Sequence, residues 1–353
     1  MFCRIEAAYG GQLFIPTSPK LHQQGGTLTE DDIFKDLGVR PVRRLNKSGR
    51  PAPHLSLRFD SHLFSIDTSR SPKSSVQPDA YLVTHAHSDH YGKSAMLSPS
   101  AIASRETARA LEIRHEKAYK GRTFSVGGSI FVDEQEVKTY STGHTIGSVA
   151  FGWETEVGTR VLVTGDVKNY EKLPKCDLLV TEANYGDPWD PGCRFEDDIV
   201  GFGDAVEMGA TFGAYAFGKA QRAVSLIRAL GCKEEIGMDP KSLALTRELL
   251  PGFGPFSPVE ENGTEINVVT PWELSSVRSN RKYVLTGRSD LPFTQIRLSD
   301  HLDFKGLMRM MEKISPEAAL IYHPEGKRAN MMAHHLRELG MASISVSQIE
   351  DSF

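Results

Sequence analysis

Six consecutive residues, His85-Ala-His87-Ser-Asp89-His90, hold four side chains of metal-ligand type. Alternate residues of an extended backbone share a face, so His85 and His87 can turn both imidazoles toward one ion. Asp89 and His90 follow at a bend and can face a second ion. Two more suitable residues stand downstream. His144 lies in the glycine-bounded loop Ser141-Thr-Gly-His144-Thr-Ile-Gly, and Asp166 ends the run Val161-Leu-Val-Thr-Gly-Asp166. Both follow strands, and loops at strand ends are where α/β proteins carry function. One site then has His85, His87 and His144, the other has Asp89 and His90, and Asp166 bridges them. Imidazoles combined with carboxylates suit Zn²⁺, ahead of Mn²⁺ or Fe²⁺.

The elements that position these groups are legible in part. Ala80-Tyr-Leu-Val-Thr84 is a short apolar strand running into the cluster. Leu55, Leu57 and Phe59 alternate, Asp60-Ser61 turns, and Leu63–Ile66 returns, which is a hairpin ending at Asp67. The pattern predicts helix over 101–120 and strands over 137–141, 148–154, 159–164 and 178–181. Pro188 to Gly201 is linker-like. A strand over 210–217 precedes a helix over 218–230, and strands return at 265–269 and 283–286. The chain closes as helix 303–313, strand 318–322, helix 327–339 and strand 342–346. This alternation indicates α/β layers. In the first 53 residues, 11–16 resembles a strand and Thr29–Asp32 a helix start. Arg40, Arg43, Arg44, Lys47 and Arg50 fall among prolines, as an exposed loop or as an arm for a polyanion backbone.

Composition narrows the field. A chain of 353 residues with 24% charged residues is an ordinary globular protein of about two domains. Its four cysteines form no C-x-x-C pair, which excludes a Cys-based zinc ribbon or a disulfide scaffold and fits a reducing cytoplasm. No apolar run reaches membrane-span length, and the first residues show no signal peptide. A net charge of −4 argues against a broad basic field for nucleic acid. Two divalent ions would offset that balance locally, leaving modest, salt-sensitive affinity. Arg105, Arg109, Arg114, Lys117, Lys120 and Arg122, interleaved with Glu106, Glu112 and Glu116, form a salt-bridged solvent face.

Taken together, these motifs resemble those of the metallo-β-lactamase superfamily. Asp67 ends a strand, the H-x-H-x-D-H cluster follows, then come His144, Asp166 and a C-terminal His. Thr181-Glu182-Ala-Asn-Tyr-Gly186 is similar to the motif that opens the β-CASP insertion of nucleic-acid-processing members. Ala214-Tyr-Ala-Phe-Gly218-Lys219-Ala-Gln221-Arg222 resembles a strand–turn–helix segment within that insertion. Leu298-Ser-Asp-His301-Leu-Asp303 resembles the motif that closes it, and Ile321-Tyr-His323-Pro-Glu325-Gly the last motif. The resemblance implies a four-layer αββα sandwich with a short β-CASP-like α/β insertion. Residues 1–190 would form the first part, with 1–53 an N-terminal extension, 191–297 the insertion, and 298–353 the remainder.

It also implies roles. Two divalent ions, Zn²⁺ or Mn²⁺, would be held by His85, His87, Asp89, His90, His144, Asp166 and His323, with Asp67 behind them. The ions would lower the pKa of a shared water from about 15.7 towards 7, giving a hydroxide nucleophile for a phosphodiester. Asp89 would serve this step, and His301, oriented by Glu182, would be the general acid. Gly218 and Lys219, with Gln221 and Arg222 in the first helical turn, would seat a phosphate at a helix N-terminus. The implied activity is an exonuclease on single-stranded ends, RNA slightly ahead of DNA because His at the last motif goes with RNA-acting members. The protein could be a homodimer, beside a DNA ligase or RNA-processing partner, with no membrane association. A small-molecule thioester or lactone hydrolase is a second reading, which turnover of a small ester without competition by oligonucleotide would support. A non-catalytic scaffold is a third, and it would bind no metal.

Overall fold

The computed structural model describes residues 34–45, 49, 55–68, 76–90, 95–259, 263–287, 293–322 and 327–351. His323, Lys47, Arg50 and the elements expected at 11–16 and 29–32 lie outside the described residues.

Strands β1 (Val39–Val42), β2 (Leu55–Phe59), β3 (His62–Ile66), β4 (Ala80–Leu82), β5 (Ala101–Ser104) and β6 (Arg122–Phe124) pair in chain order as one sheet. The first three are antiparallel and the rest parallel. Helix α1 (Arg105–His115) follows β5. A second sheet begins with β7 (Ser129–Val132), β8 (Gln135–Ser141), β9 (Val149–Glu154), β10 (Arg160–Val163) and β11 (Leu178–Thr181). The chain then builds a third sheet through α2 (Ile199–Glu207), β12 (Thr211–Gly213), α3 (Lys219–Ala229), β13 (Ile236–Met238), α4 (Pro240–Leu249), β14 (Phe256–Pro258), β15 (Ile266–Val269), β16 (Lys282–Thr286) and β17 (Gln295–Arg297). Its order is β14-β13-β15-β12-β16-β17, parallel throughout. Helix α5 (Phe304–Ile314), β18 (Ala318–Ile321), α6 (Arg328–Glu338) and β19 (Ala342–Ser345) return to the second sheet beside β11.

The layers follow from side-chain alternation. In β10, Val161 and Val163 point to the core between the first two sheets, while Leu162 points to the core under α5 and α6. In β11, Leu178 and Val180 take the first side and Leu179 the second. Both faces are covered, one by the first sheet and one by helices, so 161–163 and 178–180 are apolar at successive positions, the pattern of strands buried on both sides. In β5, Ile102 faces the second sheet and Ala103 faces α1. The result is an αββα sandwich. The third sheet has its own core around Phe212, Ile227, Val268 and Leu285. It docks on the sandwich where Phe217 and Leu245 join Val83, Ala103 and Leu111 in one buried cluster.

Three expectations are corrected. Ala101–Ser104 is a strand rather than the start of a helix. Its four residues are all buried between β4 and β6, and Ser104 then caps α1 by accepting from the Thr107 N–H at 3.0 Å. The segment expected as an exposed loop contains the edge strand β1. Pro41 is tolerated there because an edge strand needs no donor on its outer side, and Arg43 N–H is tied to the Asp351 carbonyl at 2.8 Å. The linker-like stretch ends early, because Asp198 caps α2 by accepting from Gly201 N–H at 2.8 Å. Among the described residues no helix is long and apolar enough to cross a membrane.

Candidate metal centre

The sandwich brings the ligand-type residues together where β4, β8, β10 and β11 end. Thr84 and the extended stretch after it carry His85 and His87, and a turn closed by His90 N–H to the His87 carbonyl at 3.2 Å presents His90. The loop with His144 is held against α1, where Ser104 Oγ and Thr107 Oγ1 donate to the Gly147 carbonyl at 2.7 and 3.1 Å. Gly147 has φ +80, and a Cβ there would fall 2.6 Å from Glu106 Cβ, so the approach requires glycine.

Each imidazole is anchored by one nitrogen and offers the other inward. Thr84 Oγ1 donates to Asp67 Oδ2 at 2.6 Å, so it accepts from His85 Nδ1–H at 3.0 Å. His87 Nε2–H donates to the Phe217 carbonyl at 3.1 Å, His144 Nδ1–H to the Asp300 carbonyl at 2.8 Å, and His90 Nδ1–H to Asp67 Oδ2 at 3.1 Å. Four inner ring nitrogens therefore converge. His87 Nδ1 lies 3.1 Å from His85 Nε2 and 2.9 Å from His144 Nε2, with no proton left to join them. Asp166 Oδ2 sits 3.6 Å from His85 Nε2 and 3.4 Å from His144 Nε2, while its Oδ1 sits 3.3 Å from His90 Nε2. His90 Nε2 is buried and has no hydrogen-bond partner among the described residues.

This donor set fits a cation. Ligands about 2.0–2.1 Å from a tetrahedral Zn²⁺ stand about 3.3 Å apart, close to the separations around His87. Each His gives its outer N–H to a carbonyl, hydroxyl or carboxylate, as metal-ligating histidines do. Burial, then the neighbouring imidazoles, holds His85 well below the ordinary value, and burial with His301 brings His144 down to about 3. Burial also lowers His87, so these three rings are neutral at pH 7, the form in which an imidazole can take a cation. Burial opposes the charged form of His90, but Asp166 and Asp67 lift it well above the ordinary value.

Sequence-derived residues fall at different distances from this point. Asp67 is fully buried behind His90 and also accepts from Thr84 N–H at 2.8 Å. Asp89 lies at the rim: its side chain is 56% exposed and its Oδ2 is 3.9 Å from His90 Nε2. Glu182 and His301 meet, with His301 Nδ1 3.1 Å from Glu182 Oε2. The Glu182 carboxylate is fixed by Val167 N–H at 2.7 Å and Asn184 Nδ2–H at 2.8 Å. Burial opposes the charge on His301, but Glu182 and Asp166 raise its pKa.

The expected phosphate seat is corrected. Gly218 N–H is already given to Gln221 Oε1 at 2.7 Å, and Gln221 Nε2 donates to the Ala216 carbonyl and Thr246 Oγ1. Lys219 Nζ is buried on the Leu298 carbonyl at 3.0 Å and Asp300 Oδ2 at 3.2 Å. Arg222 donates to Asp197 Oδ2 at 2.7 Å and to the Ser299 carbonyl. Asp197 also takes Lys168 Nζ at 2.8 Å and Ser299 N–H at 2.9 Å. These groups form a latch that clamps the third sheet to the loop carrying Asp300 and His301. Sequence reading missed Thr84, Asn184, Lys168 and Asp197. A hydroxyl directly before His85 and an amide two residues after Glu182 were the available signals for the first two.

Residues 70–236 match the model of the metallo-beta-lactamase superfamily. With the αββα layers and the His/Asp cluster at the strand ends, the chain carries a metallo-β-lactamase domain. It is similar to an RNase J-like protein of Methanocaldococcus jannaschii, 26% identical over 197 residues that cover 46% of this chain and 47% of that protein. It is also similar to a "Probable DNA ligase" of Opitutus terrae, 25% identical over 304 residues that cover 75% of this chain and 28% of that protein. The chain thus spans under half of each relative. A crystal structure of a protein of unknown function from Enterococcus faecalis V583 shares the fold with a TM-score of 0.58, at 13% identity over 82% of this chain and 95% of that one.

Proposed function

We propose that this chain is a β-CASP-type nuclease: a dinuclear metal-dependent phosphodiesterase acting on single-stranded RNA or DNA ends. The observation that carries the reading is the convergence of four anchored imidazoles and Asp166 beside the Glu182–His301 pair. When bound, divalent ions supply an activated water and polarise the phosphoryl oxygens. The imidazole-rich donor set favours Zn²⁺. His85, His87, His144 and Asp166 would hold one ion; Asp166 and His90 would contribute to the second, with Asp89 at its open side. Glu182 takes the Nδ1 proton of His301 and fixes the ring, so the Nε2 proton can pass to a departing oxygen. The RNase J-like and ligase-named relatives agree with a polynucleotide substrate.

The test is end-labelled single-stranded RNA and DNA incubated in parallel with Zn²⁺- or Mn²⁺-loaded protein. Cleavage is expected for the wild type and not for His87→Ala. Metal-loaded protein that leaves both polymers intact while hydrolysing small esters would overturn the reading.

A further inference from the structure

Two large aromatic side chains stand exposed on the loops that follow neighbouring strands of the third sheet. Tyr215 is 54% exposed and Trp272 is 63% exposed, and their ring centroids lie 6.3 Å apart. Tyr215 stands two residues past β12, and Trp272 three residues past β15. These two strands are parallel neighbours. From β12 the chain moves across the sheet toward β13, and from β15 it moves the opposite way toward β16. With right-handed crossovers, opposite moves put the two connections on opposite faces and open a crevice at the strands' C-terminal ends.

The same turn touches the centre. Phe217, two residues after Tyr215, takes the His87 Nε2–H on its carbonyl and packs its ring 5.4 Å from that imidazole. Two peptide units span at most about 7.6 Å, so Tyr215 stands on the same short turn that braces the His87 imidazole. The turn is rigid: Ala220 N–H bonds the Tyr215 carbonyl at 3.0 Å, and Gln221 Nε2–H bonds the Ala216 carbonyl at 2.9 Å. The backbone before Trp272 is closely packed, because Gly213 lies against Pro271 and Leu274; a Cβ there would meet them at 3.3 and 3.2 Å.

We propose that Trp272, propped by Tyr215, is a stacking platform for an unpaired nucleobase next to the reacting phosphodiester. The proposal rests on the nuclease reading for its ligand class. A rigid exposed aromatic face beside a polynucleotide path binds any base through its π-surface, without sequence preference. It also supplies affinity that the paired Lys219 and Arg222 do not.

The experiment measures anisotropy of dye-labelled single-stranded oligoribonucleotides and oligodeoxyribonucleotides of the same sequence, with an abasic residue walked inward from the end. Wild type, Trp272→Ala, Tyr215→Ala and the exposed control Trp189→Ala are compared, and cleavage is followed separately. Trp272→Ala is expected to weaken binding about tenfold, Tyr215→Ala less, and Trp189→Ala within twofold. One abasic position should cost the wild type a similar factor and cost Trp272→Ala almost nothing. An equal abasic penalty in both proteins, or unchanged binding in Trp272→Ala, overturns the platform. If the wild type cleaves neither polymer, the nuclease reading fails, while the binding cycle still decides the platform. A platform effect confined to RNA or to DNA identifies which polymer it serves.

Discussion

Two polar clusters, one buried and one partly so, meet at the loop 298–301, and they differ in what faces each charge. In the latch, Asp197 and Asp300 meet Lys168, Lys219 and Arg222, and the spare donors end on carbonyls. In the centre, the three lone pairs of His85, His87 and His144 and the Asp166 carboxylate face one another. Buried polar groups ordinarily find partners within the protein. The closed cluster therefore holds the fold, and the open one marks where a ligand belongs. Without the outer bonds the difference would vanish, because the same rings could share protons.

Substitutions can sharpen this contrast. The largest effect is expected for Asp166→Ala, with cleavage falling at least about 1,000-fold, or about 4 kcal/mol in activation free energy. Bound metal should fall with it while far-UV circular dichroism stays native. Full metal content and full activity would remove Asp166 from the centre.

Asp300→Ala should act on the fold instead. It leaves the buried Lys219 ammonium facing no carboxylate, and breaking such a pair costs about 3–5 kcal/mol, readable as a lower urea midpoint. Burial opposes ionisation of Asp300, but Lys219, His144 and Arg222 bring its pKa down from 3.8 to about 2. A depressed carboxylate stabilises the fold above its unfolded pKa and loses that contribution as pH falls through the folded value. The wild type should thus lose about 2 kcal/mol between about pH 4 and pH 2 that Asp300→Asn does not lose. Parallel pH profiles for the two proteins would refute the latch.

Thr84→Val keeps the shape but removes the acceptor of His85 Nδ1–H. Metal affinity, measured by competition with a zinc indicator, should fall about 10- to 100-fold. Arg109→Ala marks the lower limit. Its pair with Glu248 joins α1 to α4 with both side chains about half exposed, so the loss should stay below about 1 kcal/mol.

The ligand cluster was legible because its spacing is local: His85, His87 and His90 sit on one strand end and one turn. Their outer partners were not, since the Phe217 carbonyl is 130 residues from His87 and the Asp300 carbonyl 156 from His144. Gly218-Lys219 misled for a physical reason. A glycine and a lysine opening a helix have the same local pattern whether they receive an anion or anchor a loop. The burial of Lys219 beneath Leu298 and Asp300 decides it. Ala101–Ser104 carries too little alternation to distinguish a strand buried on both faces from a helix, whereas Leu55–Ile66 alternates and turns where its pattern requires.

The long separation between His87 and the Phe217 carbonyl also sets an order in time. Contacts between distant parts of a chain form late, because the intervening loop must close first. The ring of His87 acquires its tautomer only once the third sheet has docked, and that of His144 only once the chain beyond residue 300 has returned. The centre is therefore completed late, after the third sheet and the chain beyond residue 300 are in place, and the appearance of metal-binding capacity during refolding would report that stage.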